Sequence, residues 1–428
     1  MRTHSIPSRG LIVAMHSSQR RRPTPREIVM KVVKPCPACG AAGATVFLSV
    51  EVPVNCSALI AYQDEARRAT KGPIALAFCE LCGMIFNAVY EPSLLVYDGS
   101  YENSLHFSPA FQAYCTALVQ RLVDRYDLRD KTIVEVGCGR GEFLAQLCEA
   151  GHNRGLGFDA SFRGDAPSPR VRIVPLAYSG DQLDCRADAI CCRHVLEHIP
   201  EPDVFLRAIS STLTDSPESV FYCETPNAAE VLGGSSLWDI IYPHCSYFTA
   251  VSMRQLLERA RFKVLHIGSA FGEQFLAAEA VAGGSNGEQA LTAAPADELE
   301  AVRVLVQSFA GRLRNTIDRW AAVIESSRQQ GRRLALWGAG AKGVTFLNMV
   351  PGAERIDTVV DLNPRKNGTF IPCTGQRIVG PVSLMEYRPD TVILLNPAYQ
   401  NEVRQSLAEV APGAEMWMDA GGMLVAVN

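Results

Sequence analysis

The 428-residue sequence lacks the features of a membrane, fibrous or wholly disordered protein. Its apolar runs stop well short of the roughly 18–20 residues that a membrane-spanning helix needs, so we expect no membrane segment. Neither sign of charge dominates, because 41 Lys and Arg stand against 45 Asp and Glu, and no global field favours nucleic acid or an anionic membrane. Glycine (33) and proline (25) occur at ordinary frequency, which excludes collagen-like and low-complexity chains.

The N-terminus also has little of what a secretion signal requires. Its apolar stretch, 11–15, is shorter than the roughly 7–15 residues of a signal-peptide core, and it runs into the basic segment 17–22. We therefore expect residues 1–30 to form a flexible basic tail, or to follow from a start codon placed too early, with Met15 or Met30 as the true start. The protein is expected to be cytoplasmic.

What the chain does contain is enough apolar sequence, 47% of residues, to build several domain cores. At about 100–200 residues per domain, its length predicts two to four domains. It also has 14 cysteines, but a disulfide framework is not expected in a large protein without a secretion signal. Most of them are typical of small core residues.

Four cysteines are arranged differently, in two Cys-X-X-Cys-Gly motifs: Cys36, Cys39, Cys79 and Cys82. Thiolates three positions apart reach one metal ion, and two such pairs complete a tetrahedral zinc site. Four cysteines leave no open position for catalysis, so the sequence predicts a structural Zn²⁺ in a module over 31–92, with strands near 46–54 and 74–78 between the pairs. A redox dithiol and a nucleic-acid-binding module remain the alternatives.

A strand, a glycine-rich turn and the start of a helix follow over 131–144. The turn has three glycines at alternate positions: Gly137, Gly139 and Gly141. Such turns bind dinucleotides and S-adenosylmethionine alike. The second cofactor is favoured because Glu135 ends the strand, near where a cationic methionine group would lie. The next strand, 155–159, ends on Asp159, an acid suited to the two ribose hydroxyls.

The segment 187–202 predicts another strand, which is followed by His194, Glu197 and His198. This order of motifs resembles the class I S-adenosylmethionine-dependent methyltransferases. The resemblance implies an α/β Rossmann-like core over 93–280, with S-adenosylmethionine as cofactor and His194 among its contacts. Alternatively, His194 and His198 only shape the loop.

A second nucleotide fold is predicted after a helical connector, 281–331, in which apolar residues recur at helical spacing over 296–328. The part 332–428 opens with a strand and a second glycine-rich turn, and its next strand ends on Asp361. Alone, this pattern favours NAD, with Asp361 on a ribose. The same fold can instead recognise the nucleotide of a substrate.

Together, the zinc motif, the core, the helix and the C-terminal signatures in 337–344, 360–368 and 371–378 resemble the NDP-sugar C-methyltransferases of deoxysugar biosynthesis. The resemblance begins near residue 34. It implies a small N-terminal zinc module, a class I core and a second, C-terminal Rossmann-like domain. Tyr101, in 97–104, is similar to an aromatic lid residue of that family, at the cofactor.

The implied reaction is methyl transfer to carbon beside the ketone of a nucleotide-linked 4-keto-6-deoxy sugar, which needs a base and donors to the enolate. His244 is the candidate base, because its pKa suits neutral pH. Tyr242 and Tyr247 are candidate donors, although Tyr247 can equally be a core aromatic and His244 a structural residue. Family members usually have glutamate before the histidine, and here Pro243 takes its place. O-methylation of a sugar therefore remains open.

The acceptor pocket and the substrate's diphosphate have further candidates: Glu224, Asn227, Gln274, Gly340, Lys342 and Asp361. Lys342 lies in the second turn, where an ammonium near helix amides suits a diphosphate, unless it is merely an exposed helix lysine. An NAD-dependent oxidoreductase and a zinc scaffold with a silent methyltransferase fold are the rival functions. The expected partner is a nucleotide sugar, without nucleic acid or membrane, and the chain is expected to be a monomer or a homodimer.

Overall fold

The structure, a computed structural model, describes most of the chain. The described ranges are 30–31, 34–95, 100–180, 182–183, 186–213, 218–234, 236–283, 293–420 and 423–427. The expected basic tail up to residue 29, and residues 97–99 of the expected lid segment, lie outside them. Within these ranges, no helix combines the length and the apolar character needed to cross a bilayer.

The N-terminal part is mostly β-structure. In chain order its elements are β1 (Met30–Lys31), β2 (Thr45–Pro53), α1 (Gln63–Arg67), β3 (Lys71–Phe78) and β4 (Ile85–Asn87). The predicted strands between the cysteine pairs are confirmed as β2 and β3, which pair antiparallel. Val46 and Leu48 alternate with more exposed neighbours, the pattern of a strand with one face buried.

The middle part contains a seven-stranded sheet with helices on both faces. Its elements are α2 (Pro109–Arg125), β5 (Thr132–Val136), α3 (Glu142–Gly151), β6 (Arg154–Phe158), β7 (Val171–Val174), β8 (Ala189–Arg193), α4 (Pro202–Leu213), β9 (Val220–Pro226), α5 (Ala228–Gly233), β10 (Ser246–Tyr247), α6 (Ala250–Arg259), β11 (Phe262–Ala270) and β12 (Phe275–Ala282). The sheet order is β11-β12-β9-β8-β5-β6-β7, and all strands run in the same direction except β12, which pairs antiparallel with both of its neighbours. The predicted α/β class is confirmed.

The C-terminal part begins with one long helix, and a second sheet with α/β connections follows it. Its elements are α7 (Ala296–Gln329), β13 (Leu334–Trp337), α8 (Ala341–Met349), β14 (Thr358–Val360), β15 (Arg377–Val379), α9 (Leu384–Tyr387), β16 (Thr391–Leu394), α10 (Gln400–Val410), β17 (Glu415–Ala420) and β18 (Met423–Val427). The sheet order is β15-β14-β13-β16-β17-β18, with only β18 antiparallel. The expected connecting helix is confirmed as α7.

The three parts share structure across their predicted boundaries. Strand β10 leaves the middle part and pairs antiparallel with β4, with Ser246 opposite Phe86, so it closes the first sheet. Helix α7 packs on β2, where the rings of Phe47 and Phe309 lie 6.3 Å apart. Strand pairing therefore crosses the predicted boundary between 31–92 and 93–280, and the domain limits stay predictions.

Candidate active site

The two cysteine pairs meet in one buried cluster. The sulfur atoms of Cys36, Cys39, Cys79 and Cys82 all lie within 4.8 Å of one another. Cys36 Sγ is 3.6 Å from Cys82 Sγ, and Cys39 Sγ is 3.7 Å from Cys79 Sγ. The glycine after each pair has a φ of 74° and donates its N–H to the carbonyl of the first cysteine. Only glycine adopts this turn without cost.

The donor set of this cluster fits zinc. Zinc binds thiolate at about 2.3 Å, and a tetrahedron of that size places sulfurs about 3.8 Å apart. The observed separations of 3.6 and 3.7 Å are close to that edge. A bound ion would have all four positions filled by protein and would stabilise the fold rather than bind a substrate.

The first glycine-rich turn joins β5 to α3. Its three glycines have φ values of 69°, 56° and 79°, in the left-handed region. Gly139 donates its N–H to Asp159 Oδ2 at 2.8 Å, so the acid that ends β6 faces the turn. Backbone donors and a carboxylate thus lie together at the carboxyl end of two parallel strands, where α/β folds bind nucleotide cofactors.

The Gly137→Ala substitution is expected to destabilise the protein. A Cβ at this position would lie 2.1 Å from Val195 Cγ2, and the φ of 69° strains any side chain. We expect the free energy of unfolding to fall by about 2–4 kcal/mol in a urea titration. Gly139→Ala is the control, since its Cβ would meet nothing within 4 Å, and only the backbone cost remains. Equal losses in the two variants would contradict the crowding at Val195.

Glu135 is buried at the end of β5, beside this turn. Burial raises the pKa of its carboxyl to about 8, and the nearby charge of Arg193 opposes that rise. Among the described residues, its Oε2 has no hydrogen-bond partner. A buried carboxyl oxygen without a partner is costly, and a cationic ligand would offset that cost.

The second glycine-rich turn repeats the geometry of the first. Gly338 donates to the carbonyl of Val360 at 2.7 Å, and Ala339 donates to Asp361 Oδ2 at 2.8 Å. Lys366 Nζ also lies 3.4 Å from Asp361 Oδ2. Gly340 is the N-cap of α8 and brings no side-chain cap, so the N–H groups of the first helical turn have no such partner.

The second turn lines one large cavity, of about 280 Å³. Predicted site residues line it from both sheets: Tyr101, His194, His244, Gln274, Gly340, Lys342 and Asp361. Its wall therefore combines the end of β8 with the ends of β13 and β14. The first turn and Asp159 are not part of this wall. The cavity is thus a candidate acceptor site beside the cofactor turn.

His244 lies in the wall of the cavity and is only 8% exposed. Its ring centroid is 5.0 Å from that of His198. Burial, with the nearby His198 and His194, lowers the pKa of His244 well below its usual 6.5. Burial likewise lowers the pKa of His198 to about 4. Both imidazoles are therefore neutral at pH 7, and His244 is a weaker base than an imidazole of ordinary pKa.

The side chain of Lys342, from the C-terminal part, contacts residues of the middle part. Its Nζ lies 3.1 Å from Asp239 Oδ2, 3.2 Å from Ser236 Oγ and 3.4 Å from Gln274 Oε1. The side chain is 17% exposed, so the alternative of a merely exposed lysine is wrong. Gln274 also exchanges two hydrogen bonds with the amide of Asn396, at 2.7 and 2.9 Å.

The two candidate tyrosines do not line the cavity, and the structure gives their hydroxyl groups backbone partners instead. Tyr242 is fully buried, and its hydroxyl bonds with the backbone N–H and carbonyl of Glu91, both at 3.1 Å. The Tyr247 hydroxyl donates to the carbonyl of Ile241 at 3.5 Å. Its ring packs at 6.2 Å from that of His244. Both phenols belong to the hydrophobic core.

Glu224 and Asn227 also have structural partners rather than a place in the cavity wall. Glu224 is fully buried and pairs with Arg193 at 2.9 Å. Burial opposes its charge, yet Arg193 and His194 hold the pKa of Glu224 well below its usual range. Asn227 caps α5 through the N–H of Ala229 and donates to the carbonyl of Glu273 at 3.0 Å. Both are predicted to bind substrate; neither lines the cavity, and a role in substrate binding stays a prediction.

Several cavity residues were missed as ligand contacts by the sequence reasoning: Glu197, His198, Asp239, Asn363, Lys366, Asn396, Tyr399 and Glu402. Glu197, His198 and Asp239 lie in the segments that were singled out, so proximity to His194 and His244 was an available signal. The remaining residues follow strands of the C-terminal sheet. Only the general rule that α/β folds bind ligands at the carboxyl ends of their strands indicates them.

Comparisons with known proteins match two parts of the chain to families. Residues 108–267 match the family described as methyltransferase domain, and residues 279–419 match the C-methyltransferase C-terminal domain. The C-methyltransferase NovU of Streptomyces niveus is 25% identical over 362 residues, which are 81% of this chain and 85% of that protein.

Solved structures of lower similarity cover about 40% of the chain. A putative S-adenosylmethionine dependent methyltransferase from Listeria monocytogenes has 15% identity and a TM-score of 0.32, over 40% of this chain and 99% of that chain. The 1,6-didemethyltoxoflavin-N1-methyltransferase of Burkholderia thailandensis has 18% identity and a TM-score of 0.32, over 41% of this chain and 81% of that chain.

Together, the two family matches cover most of the chain, and the first falls on the part that holds the seven-stranded sheet and the first glycine-rich turn. The protein is a class I S-adenosylmethionine-dependent methyltransferase, and its C-terminal part, residues 279–419, is similar to the C-methyltransferase C-terminal domain.

Proposed function

We propose that this enzyme methylates a carbon atom beside the ketone of a nucleotide-linked 4-keto-deoxy sugar. One observation supports the proposal most: a single cavity is lined both by His244 and by the glycine-rich turn at Gly340. A ligand that spans it would have its nucleotide at the C-terminal sheet and its sugar beside the imidazole. The relative NovU, named a C-methyltransferase, supports carbon as the acceptor.

The diphosphate of such a ligand has a matching set of donors. The N-terminus of α8 presents backbone N–H groups without a side-chain cap, and Lys342 adds a positive charge in the same turn. Helix N-termini with a nearby cation are favourable anion sites. A bound diphosphate would take the place of the Asp239 carboxylate at Lys342. Asp361 would then face the ribose.

The proposed chemistry assigns the proton transfer to His244. Its neutral imidazole takes the proton from the carbon beside the ketone, and the C–H electron pair becomes an enolate. The enolate carbon attacks the methyl group of S-adenosylmethionine in line, the S–CH₃ bond breaks, and S-adenosylhomocysteine leaves as a neutral thioether. Tyr101, whose phenol pKa burial raises, keeps its proton and can donate to the enolate oxygen.

Pro243 bears on the rival O-methylation. It removes a carboxylate next to His244 in sequence, and the carboxyl of Glu197, which has an oxygen within 4.8 Å of a ring nitrogen of His244, has its pKa raised to about 8 by burial. A carboxyl that is largely protonated at pH 7 supports the base only weakly, so carbon as the acceptor rests on the cavity and on the relative NovU. The cysteine cluster is proposed to hold a structural Zn²⁺.

The first test is a thermal-shift panel with S-adenosylhomocysteine present. TDP, UDP, GDP and CDP are added singly, and NAD is added in a separate arm. A ligand that binds only the folded state raises the melting temperature by mass action. We expect one nucleoside diphosphate to add a shift that Lys342→Met removes. A shift with NAD alone would favour an oxidoreductase, and no additional shift would overturn the nucleotide-sugar assignment.

A further inference from the structure

Three metal-binding side chains converge at one end of the cavity, away from the cysteine cluster. One ligand atom each from Glu197, His198 and His244 lies within 4.8 Å of the other two. Glu197 and His198 belong to the single helical turn Leu196–His198 that follows β8, and His244 precedes β10. All three residues line the cavity, so an ion held by them would keep coordination positions open toward it.

The carboxyl group of Glu197 is buried and not fully hydrogen-bonded within the described part of the chain. The residue is 2% exposed, and its Oε2 has no hydrogen-bond partner among the described residues. His194 Nδ1 lies 3.8 Å from Glu197 Oε1, beyond hydrogen-bond distance. A buried carboxyl oxygen without a hydrogen-bond partner is costly, and a bound metal ion offsets that cost.

Backbone contacts orient both imidazoles as they do in metal sites. His198 Nδ1 lies 3.0 Å from the carbonyl oxygen of Pro243, which favours the tautomer with the proton on Nδ1 and the lone pair on Nε2. His244 has a backbone hydrogen bond to Asp239. Histidines that bind metals almost always direct their second ring nitrogen to a carbonyl, a carboxylate or water.

We propose that Glu197, His198 and His244 form a second metal site, which takes a divalent transition-metal ion. Two imidazoles and one carboxylate select zinc, cobalt, nickel or ferrous iron over magnesium and calcium. An ion about 2.1 Å from each atom would draw the three side chains together by roughly 1 Å. Metal binding and proton abstraction by His244 use the same lone pair. If the proposed function holds, a bound ion therefore prevents His244 from acting as the base.

The test uses Co²⁺ added to the full chain after the cysteine cluster has been loaded with zinc. We expect one equivalent of Co²⁺ to bind in a calorimetric titration, with a visible spectrum that lacks a sulfur-to-cobalt charge-transfer band. Glu197→Gln and His198→Gln should each weaken binding at least tenfold. His266→Gln, an exposed histidine on the edge strand β11, is the matched control and should leave binding unchanged.

Three results would overturn the proposal: no cobalt uptake beyond the cysteine cluster, a thiolate charge-transfer band, or equal affinity in wild type and Glu197→Gln. S-adenosylhomocysteine binding by each variant reports that it is folded. The wild-type spectrum decides the question even if a variant does not fold. Since no acceptor is needed, failure of this site is distinguishable from failure of the proposed sugar substrate.

Discussion

Replacing His244 by glutamine is expected to abolish methyl transfer while the affinity for S-adenosylhomocysteine stays near that of the wild type. Glutamine retains a polar side chain but has no lone pair basic enough to take a proton from carbon. Loss of a general base typically lowers the rate by about 10²–10⁴-fold. The affinity should persist because the glycine-rich turn and Asp159 lie outside the wall in which His244 stands.

The measurement is hydrogen exchange in D₂O, with a 4-keto nucleotide sugar and S-adenosylhomocysteine but no methyl donor. The wild type should exchange the proton on the carbon beside the ketone, and His244→Gln should not. His266→Gln serves as the matched control. Exchange that persists in His244→Gln would show that His244 is not the base. Methyl transfer by the wild type without any such exchange, with the methyl group on oxygen in the product, would favour O-methylation.

Removal of the zinc that we propose for the cysteine cluster is expected to have the largest effect on stability. Structural zinc sites contribute on the order of 10 kcal/mol to the folding of the segment that holds them. Cys39→Ser leaves three thiolates and should lower both the zinc content and the melting temperature. Because β10 pairs with β4, the segment of His244 should be disturbed as well.

Cys373→Ser is the matched control for that variant, since Cys373 is half-buried and donates to the carbonyl of Ala69, outside the cluster. Zinc content by mass spectrometry, thermal melting and methyl transfer are measured together. A chelator that removes zinc without changing the melting temperature would contradict a structural role. Full zinc retention in Cys39→Ser would contradict coordination by this sulfur.

Motifs that depend only on residues close together in the sequence could be predicted. The cysteine pairs, both glycine-rich turns and the helix 296–328 depend on short spacings and on apolar periodicity, and the structure has all of them. The acids that end β6 and β14, Asp159 and Asp361, follow from the same rule. They accept hydrogen bonds from the two turns at 2.8 Å.

Side-chain environment could not be predicted in the same way. Tyr242 and His244 are two residues apart, yet one is in the core and the other faces the cavity, because the segment bends between Ile240 and Ser246 rather than following one period. Glu224 looked like a pocket acid, but Arg193 binds it from the neighbouring strand. Such pairings connect residues 31 positions apart and leave no local pattern.

The antiparallel pairing of β10 with β4 also limits how this protein can be recombined with its relatives. A chimera that exchanges residues 34–95 alone would present a foreign sheet edge to Ser246 and Tyr247. Such a graft would have to carry the segment 236–249 with it, and with that segment residues that line the proposed acceptor cavity. Acceptor preference and the cysteine-bearing module would therefore be inherited together, although more than a hundred residues separate them along the chain.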